Sequence, residues 1–227
     1  MCGRAYSTYS EEELVMRYLN RKPIGLPSFK PNYNLAPTQL APVIRIGADG
    51  ARQLDLFNWG LIPSWAPEFK TKLSTINAKS ETAFDSKLYR GAVLKRRCIV
   101  PLSGFIEWKS QAGKSPKRPF KISLKKEPIM SMAGIWEAWH PGTPEERHSF
   151  SILTTEANSL MKDLHHRMPV ILPRESESAW LDPEIQEPEM IARLLLPYSP
   201  DSMETLEIGT VINSPRNNRP EVLEPLN

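Results

Sequence analysis

Two cysteines, Cys2 and Cys98, are all that this 227-residue chain contains. That excludes a disulfide framework and a four-cysteine zinc site, and it fits a reducing, cytoplasmic setting. No apolar run reaches 18 residues, so no membrane-spanning helix is expected. The opening MCGRAYSTYSEEEL lacks the apolar stretch of a secretory signal, and the start reads as the working start of the mature protein. Neither sign of charge dominates: 29 basic residues face 26 acidic ones, a net +3. A nucleic-acid partner would therefore meet a local basic face rather than a uniformly basic protein. Internal repeats, low-complexity tracts and a recognisable linker are also missing, which leaves one domain over 1–227. Proline is the exception to this scarcity. Its 22 residues are scattered, which favours irregular loops and disfavours long helices.

The elements that can be read are short. Ser10 and Glu13 form a capping box that opens a helix through about Asn20. Residues 23–34 read as loop. Segments 41–47 and 53–60 flank Ala48-Asp49-Gly50 and read as a β-hairpin. A proline-punctuated loop, 62–70, carries Trp65. Residues 80–92 hold one or two short helices. Residues 96–110 read as two strands split at 101–104, and 118–124, 128–139 and 148–155 as further strands. A helix is expected over 155–164, short helices over 173–181 and 188–196, and a strand over 204–213 that closes the sheet. Many short strands with few helices predict an α+β fold on a curled, barrel-like antiparallel β core.

Cys2 is the residue with the most distinctive chemistry. A methionine before so small a residue is removable, by an aminopeptidase or by attack of the nucleophile on its own preceding bond. Removal leaves an α-amine and a thiol on one residue. The α-amine has a pKa near ~8 against ~10.4 for lysine, so roughly a tenth is neutral at pH 7. A neutral amine attacks an aldehyde to give a Schiff base, and the adjacent thiol can close on the imine carbon as a thiazolidine. Gly3 allows close backbone approach, and Arg4 places a cation beside the amine. Taken alone, Cys2 also fits an accidental second residue.

Four polar segments accompany it. YNLAPT (33–38) contains Asn34. STINAKSET (74–82) places Asn77 at a strand end, followed by Lys79, Ser80 and Glu81. SGFIEWK (103–109) sets Glu107 among Phe105, Ile106 and Trp108, which could desolvate it into a general acid or base. An alternating strand with Glu107 in water fits the segment equally well. LHHRMP (164–169) gives two histidines and an arginine directly after a helix; His165 or His166 could move a proton near neutral pH, or serve only as a helix cap or a satisfied core histidine. Trp65, between Pro63 and Pro67, is the candidate base-stacking wedge, and most other tryptophans are expected in the core. Lys70, Lys72, Lys79, Arg96 and Arg97 are candidate phosphate contacts or simply solvated surface.

Together, MCGR (1–4), YNLAPT (33–38), WGLIPSW (59–65), INAKSET (76–82), RRCIVPLSGFIEWK (96–109), LHHRMPVIL (164–172) and the 213–226 tail resemble the SRAP family, named for SOS response-associated peptidases. The resemblance spans nearly the whole chain in the family's order. It implies a single α+β domain with a barrel-like β core, and binding at abasic sites in single-stranded DNA or at junctions between single and double strands. It implies a thiazolidine cross-link from the N-terminal cysteine to the sugar aldehyde, shielding the lesion. By motif position Asn77 would orient the amine, Glu107 would move protons around the Schiff base, and His165 would assist sugar opening and ring closure. Arg4, Lys79 and Arg167 would hold phosphates, with Asn34, Trp65, Ser80 and Trp108 completing the DNA-binding set. Lys79 departs from the family's usual arginine, keeping the charge without the bidentate fork. No metal and no organic cofactor is implied, and a monomer suffices.

Two other classes remain at this level. An N-terminal-nucleophile amidohydrolase would also begin Cys2-Gly3, but its Arg-Gly-Pro-Asp-like segment and Asn-Gly pairs are missing. A non-catalytic module reading modified bases or RNA would need the basic and aromatic groups without Cys2.

Overall fold

In a computed structural model, residues 2–19, 28–70, 75–111 and 116–226 are described. Among the described residues, thirteen strands and six short α-helices follow one another. The strands are β1 (Ala5–Ser7), β2 (Asn32–Leu35), β3 (Leu40–Ile46), β4 (Arg52–Trp59), β5 (Asn77–Lys79), β6 (Arg97–Leu102), β7 (Gly104–Lys109), β8 (Arg118–Leu124), β9 (Met130–Trp139), β10 (Arg147–Glu156), β11 (Arg167–Pro169), β12 (Ile171–Leu172) and β13 (Met203–Glu207). The helices are α1 (Glu11–Tyr18), α2 (Ser80–Ala83), α3 (Arg90–Lys95), α4 (Ser159–Lys162), α5 (Glu177–Leu181) and α6 (Pro188–Ala192).

The expected barrel-like core is present. Strands β4, β3, β6, β9 and β10 pair in turn, and β10 returns to β4 to close the ring. The closing step is parallel, as is the pairing of β5 with β10, so the core is not wholly antiparallel. A second sheet runs β13-β8-β7-β1-β2. Strand β6 explains how the two layers share a core, because every residue in it is buried. Cys98, Val100 and Leu102 face the cluster that holds Cys2, Phe105 and Ile122, whereas Ile99 faces the cluster of Leu14, Val93 and Trp180. A strand covered on both faces reads as a continuous apolar run, which is what CIVPL is.

The hairpin at 41–60 forms as read, with Val43 opposite Asp55 and Gly50 at φ 76° in its turn. The split in 96–110 also holds, but its halves go to different sheets. Gly104 starts the second half because the backbone passes very close to its neighbour there. An added Cβ would lie 2.2 Å from the Ile122 carbonyl oxygen and 2.3 Å from the Tyr6 hydroxyl.

Four expectations need correction. The helix read over 155–164 shrinks to Ser159–Lys162, because Thr155 and Glu156 pair with Met168 and Arg167 across β10 and β11. The segment 204–213 does not close a sheet. Its strand is the edge of the second sheet, and Thr210–Asn213 turns as a 3₁₀ helix. Residues 32–34 are strand rather than loop. The capped first helix ends at Tyr18, and Asn20 and residues 23–27 lie outside the described residues.

A charged knot ties α1 and α5 to the barrel. Glu177, 2 % exposed, accepts from Arg17 Nη2 (2.5 Å) and from Ser131 Oγ (2.6 Å), with Arg52 Nη1 at 3.7 Å. Removing one partner of a buried pair strands the other charge. Glu177→Ala should therefore cost about 3 kcal/mol, the low end of the range for such breaks, because both arginines keep some access to water. Urea unfolding with an unchanged m-value checks this.

Candidate active site

Three elements converge on Cys2. Strand β1 lies inside the second sheet, between the edge strand β2 and β7, with Ala5 opposite both Leu35 and Phe105. Cys2, just before it, is drawn into the shared core and is 1 % exposed. Its Sγ donates weakly to the Arg4 carbonyl oxygen (3.8 Å), which also accepts from the Ile106 N–H (2.9 Å). The N-terminal segment and the strand carrying Glu107 are thereby fixed to one another.

Asn77 reaches Cys2 from the other sheet. Its Nδ2 donates to the Cys2 carbonyl oxygen (2.8 Å). Asn77 Oδ1 is buried with no hydrogen-bond partner among the described residues. The short strand bearing Asn77 is held by the Trp59 indole N–H on the Ile76 carbonyl (3.0 Å) and the Tyr89 hydroxyl on the Asn77 carbonyl (3.4 Å). Neither Trp59 nor Tyr89 was among the sequence candidates, because each acts on a backbone carbonyl that no local pattern reveals.

Glu107 is 7 % exposed, so the water-facing alternative for its strand does not hold. Its Oε1 accepts from the Trp108 N–H (3.3 Å). Its charge acts on both Cys2 and His165. Burial pushes the Cys2 thiol up to about 12, and the Glu107 carboxylate adds to that rise. Burial pulls the His165 imidazole below its usual range, while Glu107 pulls in the opposite direction and His166, stacked on it at 4.2 Å, pulls down with burial. His165 Nδ1 accepts from the Arg167 N–H (2.9 Å), which assigns the proton of the neutral ring to Nε2. Cys2, Asn77, Glu107 and His165 are thus one constellation: a buried protonated thiol, an amide, a carboxylate and a neutral imidazole. It suits proton transfer around a group bonded to the residue-2 backbone.

The expected DNA-binding residues divide. Trp65 is 75 % exposed and Lys79 is exposed. Trp108 is half-buried, its Nε1 donating to Asn213 Oδ1 (2.8 Å) and its ring facing the Arg4 guanidinium at 5.7 Å. Arg4 Nη1 is engaged by Asn34 Oδ1 (2.6 Å) and the Ile212 carbonyl (2.8 Å). Arg167 forms a two-pronged pair with Glu81 (2.7 and 2.8 Å), a partner the sequence reading passed over although it lies within INAKSET. Asn34 is 0 % exposed and its amide is spent inside the protein, so it does not offer itself to DNA. Ser80 is buried at the first position of α2. Among the additional basic residues, Arg97 is buried against the carbonyls of Val93, Leu94, Trp180, Asp182 and Ile185, and Arg96 pairs with Glu137. Both are structural. Lys72 lies outside the described residues. A largely apolar cleft of about 560 Å³ adjoins the site through Ile76 and is lined by Pro37, Trp59, Phe69 and Lys70.

Known proteins resemble this chain in sequence and in fold. The family model described as SOS response associated peptidase (SRAP) matches residues 1–215. The abasic site processing protein YoqW of Bacillus subtilis (strain 168) is 38 % identical over 227 residues, covering 99 % of each chain. The abasic site processing protein HMCES of Rattus norvegicus is 30 % identical over 271 residues, covering 99 % of this chain and 76 % of its own. A crystal structure of a protein from Bacteroides thetaiotaomicron superposes with a TM-score of 0.87 at 32 % identity, over 100 % of both chains.

Proposed function

The chain belongs to the SOS response associated peptidase (SRAP) family, and on that premise we propose that it recognises abasic sites in single-stranded DNA and bonds to them through Cys2. The observation that carries this reading is the convergence of Asn77, Glu107 and His165 on residue 2. Met1 must leave first, by hydrolysis of the Met1–Cys2 bond, either at this site or by an aminopeptidase. The freed amine then has Asn77 Oδ1 as an acceptor, a buried oxygen otherwise lacking a donor among the described residues. That bond aims the nitrogen lone pair away from the amide.

The neutral amine attacks C1′ of the ring-opened sugar. The resulting carbinolamine loses one water: its N–H proton is relayed by Glu107 or His165 to the departing hydroxyl, and an imine remains. The Cys2 thiol is held protonated by burial, so it does not attack before the imine forms. It then adds across C=N. Sulfur bonds to C1′, and the thiol proton passes to nitrogen by way of the carboxylate or the neutral imidazole. The product is a thiazolidine that shields the lesion, and the net change over both steps is the loss of one water.

Trp65 and Lys79 would meet the flanking strand by stacking and charge. The chemistry needs one copy of the chain, in the cytoplasm and on nucleoid DNA, and neither metal nor organic cofactor. Mature protein mixed with single-stranded DNA bearing one abasic site should give a band that survives heat and denaturant. Absence of that band, with Cys2 verified as the first residue, would refute the reading.

A further inference from the structure

Asn34 makes more contacts than any strand residue of its size needs. Its backbone N–H donates to Asn32 Oδ1 (3.0 Å). Its Nδ2 faces three carbonyl oxygens of the far end of the chain, those of Ile212 (3.1 Å), Ser214 (2.9 Å) and Asn217 (2.9 Å). Its Oδ1 accepts from Arg4 Nη1, which also donates to the Ile212 carbonyl. The same C-terminal segment is closed on itself by Asn217 Nδ2 on the Val211 carbonyl (2.8 Å). It is pinned to β2 by Asn218 Oδ1, which accepts from the Tyr33 N–H (2.7 Å), and to Trp108 through Asn213.

We infer that Asn34 is a positioning residue, and that residues 212–217 form a latch which sets the nucleophile through Arg4. The link is short. The Arg4 side chain is held by Asn34 and the latch, and the Arg4 carbonyl holds both the Cys2 thiol and the Ile106 N–H beside Glu107. Cys2 is two residues from this clamp. Trp108, which follows Glu107 in the chain, is gripped by the latch on one edge and faced by Arg4 across its ring. A segment 208 positions along the chain from Arg4 therefore decides how the Cys2 amine and thiol lie against Glu107. Asn34 does not touch the reacting atoms.

The inference rests on the proposed covalent reaction, so the test separates the two. The covalent rate is measured at saturating abasic single-stranded DNA. Affinity is measured separately on the same oligonucleotide carrying a tetrahydrofuran analogue, which has no aldehyde. Asn34→Ala should lower the covalent rate roughly tenfold to a hundredfold, the scale of an ångström-sized misplacement, with affinity for the analogue unchanged. Asn217→Ala loosens the latch from the surface without opening the core. It should lower the rate in the same direction by less, and it decides the matter if Asn34→Ala does not fold. Wild-type rates in a folded variant would overturn the inference, as would a loss of affinity that matches the loss of rate. No adduct with the wild-type protein would instead refute the underlying reaction.

Discussion

Cys2→Ser should still form an imine with abasic DNA but should yield no adduct that survives heating. The α-amine is untouched by the change, so the first bond forms and borohydride traps it. Serine oxygen is a far weaker nucleophile toward the imine carbon than sulfur. An unclosed imine hydrolyses, whereas the intramolecular thiol, already positioned in the site, closes with an effective molarity far above any external nucleophile. Heat-stable product should drop below detection while the reducible product remains. A heat-stable adduct in Cys2→Ser would remove the thiol from the account. Because the Cys2 thiol is buried and its pKa raised to about 12, it should also alkylate slowly compared with an ordinary thiol, whose pKa is about 8.5.

Glu107→Gln should slow cross-linking by roughly 10²- to 10⁴-fold, the usual worth of a positioned acid–base group. The glutamine keeps the shape and the hydrogen-bonding edge, so loss of rate without loss of fold isolates the proton-transfer role. The pH profile carries a second signature. Two groups must be unprotonated for the forward reaction, the residue-2 amine and His165. The amine, with a pKa near ~8, makes the rate climb through neutrality. His165 titrates below the ordinary imidazole range, because burial disfavours its cation. Its limb therefore lies on the acid side, and the neutral ring is present throughout the neutral range. His165→Gln should lower the rate and erase that acid limb while leaving the climb set by the amine. A profile with the acid limb intact would assign it to another group.

Residue 2 drew attention in the sequence through the company of three polar motifs, since Cys2 alone fits an accidental second residue, and the fold brings Asn77 of one of those motifs onto its carbonyl. The hairpin at 41–60 was legible too, since Asp49-Gly50 states its turn locally. Other features depend on partners remote in the chain. Thr155 and Glu156 have the composition of a helix start, yet tertiary pairing with β11 keeps them extended. The parallel closure of β10 onto β4 joins Ser149 to Asn58, and no local pattern announces it. Asn34 and Asn77 are the same residue type in turn-like segments. One braces the far end of the chain and the other holds the residue-2 carbonyl, and only the fold separates those roles. Arg167 was expected on a phosphate, and its pairing with Glu81 was not foreseen because the two lie 86 positions apart.

The most direct measurement is mass spectrometry of the cross-linked product after digestion of both protein and DNA, on chains whose Met1 has been removed. The account predicts the sugar remnant on the peptide beginning at Cys2, at the summed mass less one water, with no gain of hydrogen on borohydride treatment because the ring is closed. A remnant carried by a lysine, a product that takes up two hydrogens, or an equal yield from chains that retain Met1 would contradict it.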